Sequence, residues 1–198
     1  MTQRDITAQV PNAISLARLA AGPFLLWMAY AREPRGFRWL LLVCLLSDIA
    51  DGLIARTFQL TSVIGARLDS TADQLTTVAA LAGLFAFKAN MLRDHWLAFT
   101  SVAGFYLASD AAAVMRYGKI ASFHTLLARA AAYAQSVFIM SVLFGSYREW
   151  LMNLMVAVSL AAYFEEILII VWVLPQWRAD VRGLYWLLGK PAREAGEV

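Results

Sequence analysis

Apolar residues concentrate in long runs along the chain, at 39–46, 75–87, 131–144 and 151–174. Crossing the hydrocarbon core of a bilayer takes roughly 20 mostly apolar residues. Lipid offers the backbone no hydrogen-bond partners, so such a run has to bond to itself as a helix. Length and apolarity predict about six spans, at 13–30, 37–56, 66–87, 96–115, 124–144 and 150–174. Links rich in charge or helix breakers separate them, at 31–36, 88–94, 116–119 and 145–149, and Pro175 closes the last. The polar start, 1–11, reads as a short interfacial segment and 176–198 as a polar, basic tail. The expectation is an all-α integral membrane protein, one domain over 1–198, with no internal repeat.

Composition strengthens this reading. The chain is 61% hydrophobic and 16% charged, with a mean hydropathy of +0.59. Soluble domains carry about a quarter charged residues. The formal charge of +3 is small enough for anionic lipid headgroups to account for it, and no nucleic-acid partner is expected. The one cysteine, Cys44, lies in an apolar run and reads as a packing residue. No signal peptide is expected, because Met1–Gln9 is polar. With the N-terminus inside, eleven of the 17 Lys and Arg residues fall on the cytoplasmic side, which favours both termini inside.

The candidate chemistry is acidic. Ser47-Asp-Ile-Ala-Asp-Gly-Leu-Ile-Ala-Arg56 is followed by Gly65-Ala-Arg-Leu-Asp-Ser-Thr-Ala-Asp73. Four carboxylates thus lie in or beside apolar helices, where each ionised group costs a few kcal/mol or more. No run of lysines or arginines nearby is large enough to compensate, whereas one divalent cation or two would be. Asp48 and Asp51 are three apart and share a helix face, and Asp69 and Asp73 are four apart on the next helix. A turn near 57–64 folds the second pair toward the first. Oxygen ligands from two helices suit Mg²⁺ or Mn²⁺, and no His or Cys cluster suggests zinc. Gly52 and Ala55 follow on the Asp48/Asp51 face and Gly65 precedes Asp69 by a turn, leaving a slot for a ligand near the backbone. Small residues in membrane helices taken alone mean close packing; their order among the acids argues for more. Arg56 offers a positive charge to a phosphate.

The pattern Asp48-x2-Asp51-Gly52-x2-Ala55-Arg56-x8-Gly65-x3-Asp69-x3-Asp73 resembles the signature of the CDP-alcohol phosphotransferase (phosphatidyltransferase) family at every fixed position. The resemblance implies a fold of about six membrane helices. It implies that Asp48, Asp51 and Asp69 bind metal, and that Asp73 joins them and serves as catalytic base. It further implies that Gly52, Ala55, Arg56 and Gly65 shape a CDP site, and that the protein is a homodimer opening to the cytoplasm, as in a bacterial inner membrane. The donor would be CDP-diacylglycerol or a related CDP-linked lipid.

Pro11-Asn-Ala-Ile-Ser-Leu-Ala-Arg18 is similar to the segment that opens many bacterial phosphatidylglycerophosphate and cardiolipin synthases. Asn12, Ser15 and Arg18 recur every three residues as one polar face, suited either to the donor diphosphate or to capping and interfacial anchoring. For the acceptor, Arg116, Lys119 and Arg129 are candidate phosphate ligands, with glycerol 3-phosphate the favoured acceptor. Phosphatidylglycerol, an inositol phosphate, serine and an aminoalcohol are the alternatives. Phosphatidylglycerophosphate synthases often read Asp-Pro-x-Ala-Asp-Lys where this chain has Asp69-Ser-Thr-Ala-Asp73-Gln74. Asp110, Glu165 and Glu166 within spans could pair with basic residues, touch a polyol or sit at a dimer contact. Outside this enzyme class, the rivals are a transporter that uses the buried aspartates and a catalytically silent scaffold.

Overall fold

A computed structural model of the protein describes residues 3–58, 63–118 and 125–173; within them the side chains of 3–12, 51–58, 63–67, Ser70 and Val173 are not described. The described residues are helical almost throughout. In chain order the α-helices are α1 (Gln3–Tyr30), α2 (Pro34–Phe58), α3 (Val63–Phe87), α4 (Ala89–Asp94), α5 (Trp96–Tyr117), α6 (Leu126–Leu143) and α7 (Glu149–Leu168), followed by a π-helical turn at Ile169–Val173. Among the described residues four segments are long and apolar enough to cross a bilayer: Ala13–Tyr30, Trp96–Tyr117, Leu126–Leu143 and Glu149–Trp172. The protein is a multi-pass integral membrane protein. In α2, Arg38, Asp48, Asp51 and Arg56 interrupt the apolar run expected at 37–56. Among the described residues of α3, Thr71–Phe87 is a shorter apolar stretch.

Two boundaries differ from the sequence expectation. Residues 3–11 are helical and continuous with α1, which at 28 residues is about 42 Å long. The link at 88–94 is largely α4, a six-residue helix. The centre of the turn expected at 57–64, Lys119 and the tail from 174 lie outside the described residues.

The chain forms two compact units, Met1–Leu92 with Ile139–Ser146, and Arg93–Phe138 with Tyr147–Val198. In the first, α1 packs most extensively on α3 and also on α2. The buried positions of α1 are Ser15, Arg18, Gly22, Leu25 and Ala29, a stripe at steps of three and four. It meets Phe37, Leu41 and Cys44 of α2 and Ala79 and Ala80 of α3 in the core. Small residues permit this approach. A methyl group on Gly22 would collide with the Leu75 side chain, and one on Gly83 with the Phe37 ring. The link from α1 to α2 turns at Arg32, which takes a left-handed φ of 59°. Its guanidinium donates to the Ala86 carbonyl, one of the last acceptors of α3 that the helix itself leaves unbonded.

In the second unit α5 packs along α7. Gly118 caps α5 in the left-handed conformation, its N–H donating to Val114. Thr125, fully buried, caps α6 by accepting from the Ala128 N–H at 3.0 Å. The loop before α7 returns Tyr147 to within 2.9 Å of His95 Nε2 at the start of α5, and the rings stack at 5.7 Å. Burial, and then the neighbouring Glu149 carboxylate, raise the Tyr147 phenol above its usual range, so it stays protonated.

Candidate functional site

The faces that build the first core also carry the acidic residues. Asp48 is one turn beyond buried Cys44 on α2, and Asp69 three residues before buried Ala72 on α3. Arg18 and Ser15 continue the buried stripe of α1 past Gly22. Helical periodicity therefore brings three charged side chains from three helices to one end of the same interface.

There Arg18 bridges the two acids. Its Nη1 donates to Asp48 Oδ1 and its Nη2 to Asp69 Oδ1. The arginine side chain is 3% exposed, while those of Asp48 and Asp69 keep 40% and 52% of their surface open. The guanidinium thus reaches the carboxylates from the buried side and leaves their outer side open. Asp73, one turn beyond Asp69 and exposed, lies within electrostatic range of Asp48, Asp69 and Arg18. Ser15, one turn before Arg18, is 3% exposed.

Sequence reasoning expected metal to supply the compensating charge because no basic run lies nearby. In the structure one arginine from α1 supplies part of it. The signal was present in the Asn12/Ser15/Arg18 face, but the pairing joins residues 30 and 51 positions apart, which spacing within one helix does not reveal. Among the described residues no three His, Cys, Asp or Glu side chains converge closely enough to hold a metal ion. The side chains of Asp51, Gly52, Ala55, Arg56, Gly65 and Asn12 lie outside the description. The donor set still fits a hard dication. Asp48 and Asp69 already converge on one cationic head, each through a single oxygen, and each remains open on the far side.

The second unit holds a polar cluster that the sequence reading left open. The Ser109 hydroxyl donates to Glu166 Oε2 at 2.9 Å, with both residues buried. Gln135 Nε2 donates to Ser159 Oγ at 2.9 Å and to the Tyr163 hydroxyl at 3.1 Å. Tyr106 packs edge-on to Tyr163 at 5.5 Å and hydrogen-bonds Asp110. Of the expected acceptor ligands, Arg116 donates to the Val171 carbonyl at 2.5 Å, in the π-helical turn, and lies 5.9 Å from the Tyr117 ring centroid. Arg129 stands in the first turn of α6, and Lys119 lies outside the described residues.

The family model for CDP-alcohol phosphatidyltransferase matches residues 8–161. The chain belongs to the CDP-alcohol phosphatidyltransferase family. It is also similar to the cardiolipin synthase (CMP-forming) of Streptomyces coelicolor, 40% identical over 88 residues. That match covers 41% of this chain and 41% of the relative, so the chain spans well under half of that protein's length. No solved structure matches the chain.

Proposed function

We propose that the protein transfers a phosphatidyl group from CDP-diacylglycerol to the headgroup hydroxyl of phosphatidylglycerol, releasing CMP. The observation that carries the reading is the convergence of Asp48 and Asp69 on one cation, within a motif whose remaining acids are Asp51 and Asp73. The family match supports the reaction class. The likeness to a cardiolipin synthase supports phosphatidylglycerol over the glycerol 3-phosphate expected from the sequence. Glycerol 3-phosphate is the second reading, favoured by the basic residues around the link between α5 and α6.

In this mechanism Asp48, Asp51, Asp69 and Asp73 would hold one or two Mg²⁺ or Mn²⁺ ions, which would offset the diphosphate charge and that of departing CMP. The Asp73 carboxylate takes the proton from the acceptor hydroxyl. The acceptor oxygen then bonds to the lipid-side phosphorus, and the bond from that phosphorus to the CMP oxygen breaks. CMP leaves with the bonding pair, and Asp73 returns its proton to water. The resemblance assigns Gly52, Ala55, Arg56 and Gly65 to the nucleotide site, and Asn12, Ser15 and Arg18 would serve its phosphates. Positioning and fixed charge supply most of the acceleration, as in other phosphoryl transfers. The resemblance supports a single catalytic domain, acting as a homodimer in a bacterial inner membrane with its site toward the cytoplasm.

The test is product analysis. Purified protein in detergent receives CDP-diacylglycerol, Mg²⁺ and either phosphatidylglycerol or glycerol 3-phosphate, and the lipids are resolved by mass spectrometry. A diphosphatidyl product in the first arm supports the proposal. Phosphatidylglycerophosphate in the second arm alone overturns the acceptor assignment.

A further inference from the structure

We infer that the end of the first unit remote from Asp48 and Asp69 seats one anionic membrane phospholipid, its phosphate held by Arg38 with Arg35 beside it. The inference does not depend on the transfer reaction.

Positive charge is in excess at this end. Arg32, Arg35, Arg38 and Lys88 lie in or beside the α1–α2 link and the end of α3, against one acid, Glu33. The first turn of α2 holds no acidic residue. Arg32 ties the link to α3 through the Ala86 carbonyl, which gathers these cations at one end of the unit. Arg38 precedes Asp48 by ten residues, about 15 Å along α2. Trp27, Tyr30 and Trp39 are exposed around the same end. Exposed Trp and Tyr at the end of membrane helices mark the level of the headgroups.

Arg38 supplies the specific feature. Its guanidinium lies over the Phe144 ring, 5.0 Å from the centroid, and Trp39 meets that ring edge-on at 5.1 Å. Phe144 follows Leu143 of the core, so the ring is a fixed platform. Stacking occupies the face of the guanidinium, while its N–H donors lie in its plane and point past the rim. Arg38 is half-buried, and its Nε is buried with no hydrogen-bond partner among the described residues. A charged donor held this way at a membrane surface is costly unless an anion meets it. A phospholipid phosphate lies at that depth and accepts a guanidinium fork. Arg35, three residues earlier on α2, shares the face and adds a second charge. A zwitterionic headgroup brings its own ammonium against these cations, whereas an anionic one does not, so charge selects the anionic lipid.

The experiment is native mass spectrometry of the purified protein in detergent, titrated with dioleoyl phosphatidylmethanol or dioleoyl phosphatidylcholine. Phosphatidylmethanol is an anionic phosphodiester with no free hydroxyl, so it cannot be an acceptor in the proposed transfer. Wild type binds phosphatidylmethanol more tightly than phosphatidylcholine, and inorganic phosphate does not displace it. Arg38→Gln binds it roughly tenfold more weakly, the loss of one charge-assisted hydrogen bond. Arg38→Lys keeps the charge without the planar fork and is also weaker. Arg35→Gln, at an exposed position, shifts affinity in the same direction and serves where the Arg38 variants do not fold. Equal affinity for the two lipids, displacement by inorganic phosphate, or wild-type affinity in Arg38→Gln or Arg38→Lys overturns the inference. Where neither Arg38 variant folds, wild-type affinity in Arg35→Gln does so. The titration needs no turnover, so its failure is distinct from a failure to release CMP.

Discussion

Arg18 on α1 and Asp69 on α3, 51 residues apart in sequence, form an ion pair at the end of the most extensive helix–helix contact in the first unit. The same arginine reaches Asp48 on α2, so one guanidinium links all three helices. The link lies where the apolar stripes of those helices give way to charge.

This arrangement predicts non-additive stability. Asp48→Asn or Asp69→Asn alone leaves the Arg18 bridge to the other acid in place, and each lowers the thermal midpoint little. The double variant removes both of these bridges from a buried guanidinium, a loss that reaches about 3–5 kcal/mol for a fully buried pair and less here because both acids are part-exposed. Thermal unfolding in detergent should show a double-variant loss larger than the two single losses combined. Strict additivity contradicts the shared bridge.

The close approach of α1 and α3 depends on Gly22. Gly22→Ala drives a methyl into Leu75, and overpacking of this kind costs about 1–3 kcal/mol. Adding Leu75→Ala should restore much of the lost midpoint. A double variant less stable than Gly22→Ala would show that Leu75 is not the obstacle.

In the second unit, Ser109→Ala removes the donor to buried Glu166 and should cost about 0.5–1.5 kcal/mol or somewhat more for a charged acceptor. Glu166→Gln retains an oxygen acceptor at the same reach and should unfold close to wild type. The reverse order of midpoints would contradict the hydrogen-bond assignment.

Asp73→Asn keeps the size of the side chain and removes its basicity. Turnover should fall by about 10²–10⁴-fold, the range of general-base contributions, with the thermal midpoint unchanged. Steady-state CMP release and unfolding of the same preparation check both halves. Wild-type rates would remove Asp73 from the base role.

What the sequence made legible follows the range over which each signal acts. That Asp69 and Asp73 share a face of α3 is legible because helical spacing fixes it, while the Asp51 side chain, expected beside Asp48, lies outside the described residues. Four membrane-length segments are legible because bilayer thickness fixes their size. Arg18 as the partner of Asp48 and Asp69 was not legible, since the pairing depends on how three helices dock. The uninterrupted α1 was not legible either: Pro11 and the polar start suggest a boundary, yet helix runs from Gln3 to Tyr30. The π-helical turn at Ile169–Val173 has no signature in an apolar run, and its carbonyls at Ile170 and Val171 are held by Tyr117 and Arg116 from α5.

The central claim is that the acidic cluster drives transfer from a CDP-linked lipid. CMP release from CDP-diacylglycerol by purified protein, measured with phosphatidylglycerol and Mg²⁺ and again with excess EDTA, tests it most directly. The account predicts steady CMP formation that stops with the chelator and resumes when Mg²⁺ is restored. CMP formation indifferent to chelation, or none with any acceptor alcohol, would contradict it.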